Sequence, residues 1–249
     1  MKTNDKVKKN RREFLRVAGT AAAGLALGAL PYVPDANSAD AGLKIGVIGS
    51  GRIGSTLGGL WLKAGHEIMF SSLDLEHDKA LAARLGGKAR AGTPKEAAAF
   101  GEVLLLAVPY SALPQLGRDL ADAIKGKAVI DASNPIPARD GDMATRARAK
   151  GAGLASAEFL PGARIVRAFN AIGYTRLPEA ARRQGERIGM PMAGDDVSAI
   201  ATASRLVREI GYEPVVIGPL AMGKYLIPGT PLAGEQTPEK IRQIVATLK

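Results

Sequence analysis

The chain has 249 residues, of which 46% are hydrophobic and 4% aromatic, and its formal net charge is +10. It contains no cysteine, which excludes disulfide bonds, thiolate metal sites and thiol nucleophiles. The basic residues after residue 41 form no cluster and aromatic side chains are few, so the composition argues against a nucleic-acid-binding protein.

Residues 1–41 have the pattern of an export signal. Basic side chains come first, and a mildly apolar stretch from Val17 to Leu30 follows. The segment Asn10–Arg16 resembles a twin-arginine signal, and Ala39–Ala41 offers a small-x-small cleavage site. The apolar stretch is short of the roughly 20 residues of a membrane span. We therefore expect export by the twin-arginine translocase to the periplasm without stable membrane insertion; the alternative is an uncleaved membrane anchor.

The predicted strand Lys44–Ile48 runs directly into a glycine-rich turn. Gly49, Gly51 and Gly54 have the spacing G-x-G-x-x-G, and apolar residues at helical intervals follow. Strand, turn and helix in this order predict a dinucleotide-binding turn. Gly49 would allow a tight turn, Gly51 the approach of a pyrophosphate, and Gly54 close packing of helix on strand. The alternative is an ordinary glycine-rich connection between a strand and a helix.

A second predicted strand, residues 67–70, follows His66, for which we expect a structural role at a helix C-terminus. Ser71 and Ser72 come next, about 20 positions after the first glycine, where a Rossmann fold reads the adenosine ribose. A carboxylate there selects NAD, so two hydroxyls favour NADP, with Arg52 as a further partner for the 2′-phosphate. Asp74 keeps NAD open as the alternative.

Three later strands each end in a small or polar cluster. Residues 103–108 lead to Pro109, Tyr110 and Ser111; residues 128–131 lead to Ser133 and Asn134; residues 165–169 lead to Asn170. Ligands of open α/β sheets bind at such carboxyl ends, so these clusters predict the rim of a cleft.

The alternation of strands and helices predicts a doubly wound Rossmann-type parallel sheet. We expect an NAD(P)-binding domain over residues 42–217 and a C-terminal extension, 218–249, with loops from Gly218 to Gly223 and a short helix beginning at Thr237. The last strands and helix of the domain are predicted at residues 187–193, after Asp196, and at residues 213–217.

Candidate groups for hydrolysis or metal catalysis are missing from the sequence pattern. It has no paired carboxylates, no H-E-x-x-H and no G-x-S-x-G after a strand. We therefore assign no catalytic residue and no metal ligand. Hydride transfer between two flat rings needs mainly positioning, which a cleft of this composition can provide.

Five segments of the chain resemble, in order, the family of NADP oxidoreductases that depend on coenzyme F420. They are KIGVIGSGRIGSTLGGLWLKAGHEIMFSS, VLLLAVPY, VIDASNP, VRAFNAIG and MPMAGDD. The resemblance implies hydride transfer between NADPH and a deazaflavin or flavin-like acceptor. It also implies that the pyrophosphate is held by Gly49, Ser50, Gly51, Arg52 and Ile53, that Ser71 and Ser72 meet the 2′-phosphate, that Val108 and Pro109 lie along the nicotinamide half, and that Asn134 and Asn170 lie near the ring-stacking site. Many relatives carry arginine where this chain has Leu73.

Two other functions remain open from the sequence. One is an exported NAD(P)-binding module without catalysis. The other is an NAD(P)-dependent imine or hydroxyacid reductase, for which Lys224 is the candidate basic residue, although such enzymes normally carry a longer helical domain. The expected partner is a small-molecule redox substrate, and a homo-oligomer is left open.

Overall fold

The computed structural model describes residues 42–180 and 183–248, and a sheet of eight strands runs through them. The strands are β1 Lys44–Ile48, β2 Glu67–Ser71, β3 Ala89–Ala91, β4 Val103–Leu106, β5 Ala128–Asp131, β6 Arg164–Arg167, β7 Gly189–Gly194 and β8 Glu213–Gly218. Their spatial order is β3-β2-β1-β4-β5-β6-β7-β8. The chain reverses its direction of winding between β1 and β4, which is where a Rossmann fold opens its ligand crevice.

The sheet is parallel from β3 through β6, and β7 pairs with β6 in the antiparallel sense. Strand β8 then pairs with β7 in parallel. The doubly wound α/β fold predicted from the sequence is confirmed, with the difference that the sheet is mixed and not wholly parallel. Its first six strands have the order of a classical dinucleotide-binding domain.

Helices cover both faces of the sheet. They are α1 Arg52–Lys63, α2 Leu75–Leu85, α3 Pro94–Phe100, α4 Leu113–Asp119, α5 Ala121–Ile124, α6 Pro137–Lys150, α7 Ala152–Phe159, α8 Leu177–Ala180, α9 Val197–Glu209 and α10 Pro238–Val245. Two 3-10 helices, Tyr110–Ala112 and Leu220–Tyr225, complete the described elements.

Alternate residues of the central strands point into two separate cores. Val103 and Leu105 of β4 pack in the core that includes Trp61 of α1, whereas Leu104 and Leu106 pack in the core that includes Leu113 of α4. A strand buried on both faces needs such a continuous apolar run, which is why β4 was recognisable from the sequence. The buried sheet leaves the loops at its carboxyl edge as the place for a ligand.

The C-terminal extension is integrated with the end of the sheet. Leu226, Leu232 and Ile241 pack against Val215 and Ile217 of β8 in a third buried cluster. The loop predicted over residues 218–223 is instead largely the 3-10 helix Leu220–Tyr225.

The predicted export signal, residues 1–41, lies outside the described residues. None of the helices in the described ranges has the length and apolar character that crossing a membrane requires.

Candidate functional site

Two neighbouring cavities lie at the carboxyl edge of the sheet. The larger has a volume of about 530 Å³ and lies between the glycine turn, the loop after β2 and the start of α3. The smaller has a volume of about 280 Å³ and lies between the start of α1 and the loop after β5. Ala107, Val108 and Pro109 line both cavities, so the loop after β4 forms the wall that they share.

The three positions of the turn are occupied by glycine for different structural reasons. Gly49 has φ +97°, and a Cβ there would overlap the carbonyl oxygen of Ala107. A Cβ on Gly54 would overlap the carbonyl oxygen of Gly49. Gly51, in contrast, has an ordinary φ of −64°, and a Cβ there would meet no other atom within 4 Å. Packing therefore requires Gly49 and Gly54, whereas Gly51 leaves space open beside the larger cavity that it lines.

The backbone donors that remain available in the turn belong to the start of α1. The N–H groups of Gly49 and Ser50 donate to the carbonyl oxygen of Ser71, at 2.8 and 3.1 Å, and so shape the turn instead of facing a ligand. The helical hydrogen bonds begin with Ser55 donating to Gly51 at 2.9 Å. The N–H groups of residues 52–54 precede that ladder and lie at the positive end of the helix dipole. Together with the open space at Gly51, they fit a pyrophosphate.

The two serines after β2 differ in where their hydroxyls point. Ser71 is fully buried and its hydroxyl donates to the carbonyl oxygen of Val47 at 2.8 Å. It therefore does not present its hydroxyl to the cleft, contrary to the expectation for the serine pair. Ser72 lines the larger cavity, and its hydroxyl donates to the carboxylate of Asp78 at 2.9 Å.

Asp78 is a functional candidate that the sequence reasoning missed. It is fully buried in α2, and its carboxylate accepts hydrogen bonds from the hydroxyls of both Ser50 and Ser72. The signal that could have identified it is its place on the buried face of α2, one turn before Leu81 and Ala82. A carboxylate is almost never fully buried unless it is paired.

Arg52 lies at the smaller cavity, away from Ser72. Its guanidinium donates to the hydroxyl of Tyr174 at 2.8 Å and lies 5.0 Å from the centre of that ring. Both side chains line the smaller cavity, whereas Ser72 lines the larger one. The Arg52 side chain therefore does not join Ser72 in this structure, and its predicted contact with a 2′-phosphate stays a prediction. Tyr174 had not been singled out from the sequence.

Asn134 and Asn170 form a single hydrogen-bonded unit. Asn134 lines the smaller cavity, and its amide nitrogen donates to the backbone carbonyl of Asn170 at 2.9 Å. Its amide oxygen accepts from Arg167 at 3.4 Å. Asn170 is buried, lines neither cavity and donates to the carbonyl of Ser133 at 3.3 Å. Asn170 thus supports Asn134 from beneath instead of contacting a ring.

A buried ion pair lies under this unit. Arg167 donates to Asp131 at 2.6 Å, and both side chains are fully buried. Ser156 donates to the same carboxylate oxygen at 2.7 Å. Tyr110 belongs to the same network and not to the rim where the sequence had placed it: its hydroxyl lies 3.0 Å from the hydroxyl of Ser156 and donates to the carbonyl of Ala152 at 2.7 Å. Burial raises the pKa of Tyr110 to about 12.

Asp140 joins the loops that follow β4 and β5. It accepts from the hydroxyl of Ser111 at 2.9 Å, from the backbone of Ile136 at 3.0 Å and from Arg139 at 2.8 Å. Burial alone would raise the pKa of this carboxyl, but the hydrogen bonds from Arg139, Ile136 and Ser111 outweigh it and hold the pKa at about 2. The loops after β4 and β5, which both line the smaller cavity, are therefore held together by a carboxylate that stays ionised.

His66 has the structural role that the sequence predicts. Its Nδ1 accepts from the backbone of Leu43 at 2.9 Å, and its Nε2 lies 2.7 Å from Glu209. Within residues 42–180 and 183–248, no group of three or more acidic or histidine side chains could hold a metal ion. Lys224 lies in the 3-10 helix Leu220–Tyr225 and lines neither cavity.

Comparison with known proteins adds family information to this geometry. The family model described as "NADP oxidoreductase coenzyme F420-dependent" matches residues 44–135. An F420-dependent NADP reductase from Methanothermobacter marburgensis is 31% identical over 204 residues, which cover 76% of this chain and 90% of that relative.

Two further proteins align with most of this chain. Metalloreductase STEAP3 from Rattus norvegicus is 29% identical over 184 residues, covering 73% of this chain and 35% of the relative, so the chain spans about a third of that protein. The crystal structure of a hypothetical protein from Sinorhizobium meliloti superposes with a TM-score of 0.66 at 26% identity, covering 79% of this chain and 96% of that one.

Proposed function

The chain belongs to the family of coenzyme F420-dependent NADP oxidoreductases and is an NADP-dependent oxidoreductase, and we propose that it transfers a hydride between NADPH and a deazaflavin or flavin-like acceptor. The observation that carries the proposal is the pair of cavities on either side of Val108 and Pro109. A dinucleotide in the larger cavity would end beside this shared wall, and the smaller cavity would hold the acceptor.

The residues of the larger cavity fit the nucleotide half. Gly51 lines this cavity, and the N–H groups of residues 52–54, which follow it at the start of α1 beside the smaller cavity, would bind the pyrophosphate. The apolar side chains of Val108 and Leu116 suit an uncharged ring or a ribose edge. When bound, NADPH supplies the hydride from its nicotinamide ring.

The residues of the smaller cavity fit a flat acceptor with a negative charge. The partly exposed ring of Tyr174 and the side chain of Ile136 offer surfaces for stacking, and Arg52 and Arg139 supply positive charge. Asn134 presents an amide whose orientation is fixed by two hydrogen bonds. None of the described residues that line this cavity is Asp, Glu, His or Lys. The chain would therefore act mainly by holding two rings in register and excluding water.

An acceptor panel tests the proposal. NADPH absorbance is followed with the full-length protein and a deazaflavin, a flavin and a ferric chelate in turn. The ferric chelate is included because one relative is named a metalloreductase. Turnover with the deazaflavin or the flavin is the expected result. Turnover with the ferric chelate alone would contradict the proposed acceptor and indicate a metal reductase. Absence of turnover with every acceptor would refute it.

A variant pair locates the acceptor. Arg52→Ala should raise the KM of the acceptor about tenfold, because it removes a charge and the partner of Tyr174. Arg208→Ala removes the same charge from an exposed position on α9 that lines neither cavity, and it should leave the KM unchanged. Equal effects of the two substitutions would place the acceptor elsewhere.

The two alternative functions make different demands. A binding module without catalysis would show saturable NADP(H) binding and no hydride exchange in the same assay. An imine or hydroxyacid reductase would need a basic group in the cleft, and the candidate Lys224 does not line it. The smaller cavity with its arginine and tyrosine favours the hydride-transfer proposal over both.

We also propose that the protein reaches the periplasm through the twin-arginine translocase. The support is the sequence pattern of residues 1–41, with its paired arginines, apolar stretch and small-x-small site. Cell fractionation with Arg11→Lys combined with Arg12→Lys tests it, and N-terminal sequencing of the exported protein decides between cleavage and anchoring. A cytoplasmic location that these substitutions do not alter would contradict the proposal.

A further inference from the structure

The end of the larger cavity beside the loop after β2 has an unusual charge environment for a phosphate. Ser72, Leu73 and Asp74 form this end, which is where a Rossmann fold faces the adenosine ribose. No Lys, Arg or His is present among the described residues that line the cavity. Asp74 lines it, and the buried carboxylate of Asp78 lies directly behind Ser72. A 2′-phosphate placed here would meet two carboxylates and no cation.

The hydroxyl protons at this end are already used. A serine hydroxyl has one proton to donate. Ser50 donates its proton to Asp78, and Ser72 donates to Asp78 at 2.9 Å with the carbonyl oxygen of Asp74 as a longer alternative at 3.2 Å. The Ser72 oxygen also accepts from the backbone of Asp74 at 3.1 Å. A phosphate dianion can only accept hydrogen bonds, so these hydroxyls cannot serve it. A ribose hydroxyl can donate, and the serine oxygens with their free lone pairs can accept from it.

Leu73 is uncharged and neither attracts nor repels a phosphate. Its side chain is fully exposed at the rim of the cavity. An apolar residue at this position contributes neither attraction nor a hydrogen bond to a phosphate. It is therefore the position where a positive charge could be added without disturbing the core.

We propose that this cleft takes NAD(H) as well as NADP(H), and that Asp78 sets this relaxed selectivity by engaging the hydroxyls of Ser50 and Ser72. The inference rests on the proposed function, because it concerns the same nucleotide site. It adds a second cofactor and names a specificity-determining residue that does not line the cavity itself.

Calorimetric titration of NADP⁺ and NAD⁺, in separate experiments with the full-length protein, tests the selectivity directly. We expect NADP⁺ to bind no more than about threefold more tightly than NAD⁺, because no cationic side chain among the described residues lines this end. A larger preference for NADP⁺ would overturn the inference while leaving the proposed function standing. Absence of saturable binding of either nucleotide would overturn both.

Two variants test whether this end of the larger cavity receives the 2′-phosphate. Leu73→Arg should shift the ratio of the two dissociation constants at least about tenfold toward NADP⁺, through a charge-assisted hydrogen bond to the phosphate. Val197→Arg is the matched control, because Val197 is also an exposed apolar residue but lies on α9 and lines neither cavity. It should shift the ratio less than about threefold. Equal shifts would mean that general charge and not this position decides the preference.

Asp78→Asn tests the role of the carboxylate. The amide keeps one acceptor but replaces the other by a donor, so one of the two serine hydroxyls is released to face the cavity. The ratio should move toward NADP⁺ by about threefold or more. A folded variant with an unchanged ratio would refute the assignment to Asp78. Should this buried substitution prevent folding, the Leu73→Arg and Val197→Arg pair still decides where the selectivity is set.

Discussion

Replacing Gly51 by alanine should greatly weaken nucleotide binding and leave the protein folded. Gly51 has φ −64°, which alanine adopts readily, and its Cβ would meet no other atom within 4 Å. Gly51 is the N-cap residue of α1, where alanine is less favourable than glycine, so we expect a loss of about 1 kcal/mol or less in the free energy of unfolding. The added methyl group would occupy the space through which a pyrophosphate reaches the N–H groups of residues 52–54.

The loss of binding can be estimated from those hydrogen bonds. Each one to a charged group contributes about 1.5–3 kcal/mol, and displacing the pyrophosphate weakens at least two. The dissociation constant of NADPH, measured by calorimetry, should therefore rise at least about 100-fold. Urea denaturation of the same preparation measures the stability.

Gly54→Ala is the matched comparison within the same turn. Its Cβ would overlap the carbonyl oxygen of Gly49 and lie 3.0 Å from Val47, so α1 would have to move. We expect a loss of about 1–3 kcal/mol or more in the free energy of unfolding. Normal NADPH binding by Gly51→Ala, or a stability loss as large as that of Gly54→Ala, would refute the role of Gly51 as the opening for the pyrophosphate.

Three further predictions concern the smaller cavity and its support. Tyr174→Phe keeps the ring but removes the hydroxyl that accepts a hydrogen bond from Arg52. The loss of about 0.5–1.5 kcal/mol in binding free energy should raise the KM of the redox acceptor several-fold, while calorimetry finds the Kd of NADPH unchanged. Arg167→Met leaves the Asp131 carboxylate buried and unpaired, which should lower the free energy of unfolding in urea by about 3–5 kcal/mol; adding Asp131→Asn should recover part of this loss. The carboxyl of Asp140 has a pKa of about 2, below its ordinary value of 3.8. The stability that its ionised form contributes is therefore fully present above pH 3.8 and is lost as the pH falls through about 2. Asp140→Asn should therefore cost about 2 kcal/mol at neutral pH, and urea unfolding of both proteins at a series of pH values should show the difference vanishing near pH 2.

The central strands and the glycine turn were predictable because their signals are local. Strands β1 and β5 begin and end where the apolar runs do, and α3 begins with a capping box formed by Thr93 and Glu96, which are only three residues apart. Helix α6 was not assigned, because it is strongly polar and is interrupted at Gly141, which has φ +62°. A weak periodicity with a glycine inside it does not separate a kinked helix from a loop.

The side-chain directions at the site were not predictable, because partners far apart in the sequence decide them. Arg52 turns toward Tyr174 and so leaves the 2′-phosphate end, which no local pattern could show. Ser71 faces the sheet because its hydroxyl finds the carbonyl of Val47. The position of Asp78 on the face of α2 that carries Leu81 and Ala82 indicates burial, but only the fold shows that Ser50 and Ser72 are its partners.

Two sides of the smaller cavity differ in how rigidly they are built: Asn134 lies on one side, and Arg52 and Tyr174 lie on the other. Phe169 adopts φ +66°, a strained conformation for a large side chain, and edge-to-face contacts with Trp61 and Tyr212 hold it in place. The next residue, Asn170, accepts a hydrogen bond from the amide of Asn134 through its backbone carbonyl. The amide of Asn134 is therefore positioned before any ligand arrives.

Arg52 and Tyr174, in contrast, contact each other at the surface, with Tyr174 38% exposed. An exposed pair of this kind is held by little free energy and can separate at low cost. An acceptor can therefore displace this pair and use both side chains, whereas it must accept Asn134 as it stands. Under the proposed function, Asn134 would therefore fix the orientation of the acceptor, whereas Arg52 and Tyr174 would adapt to it.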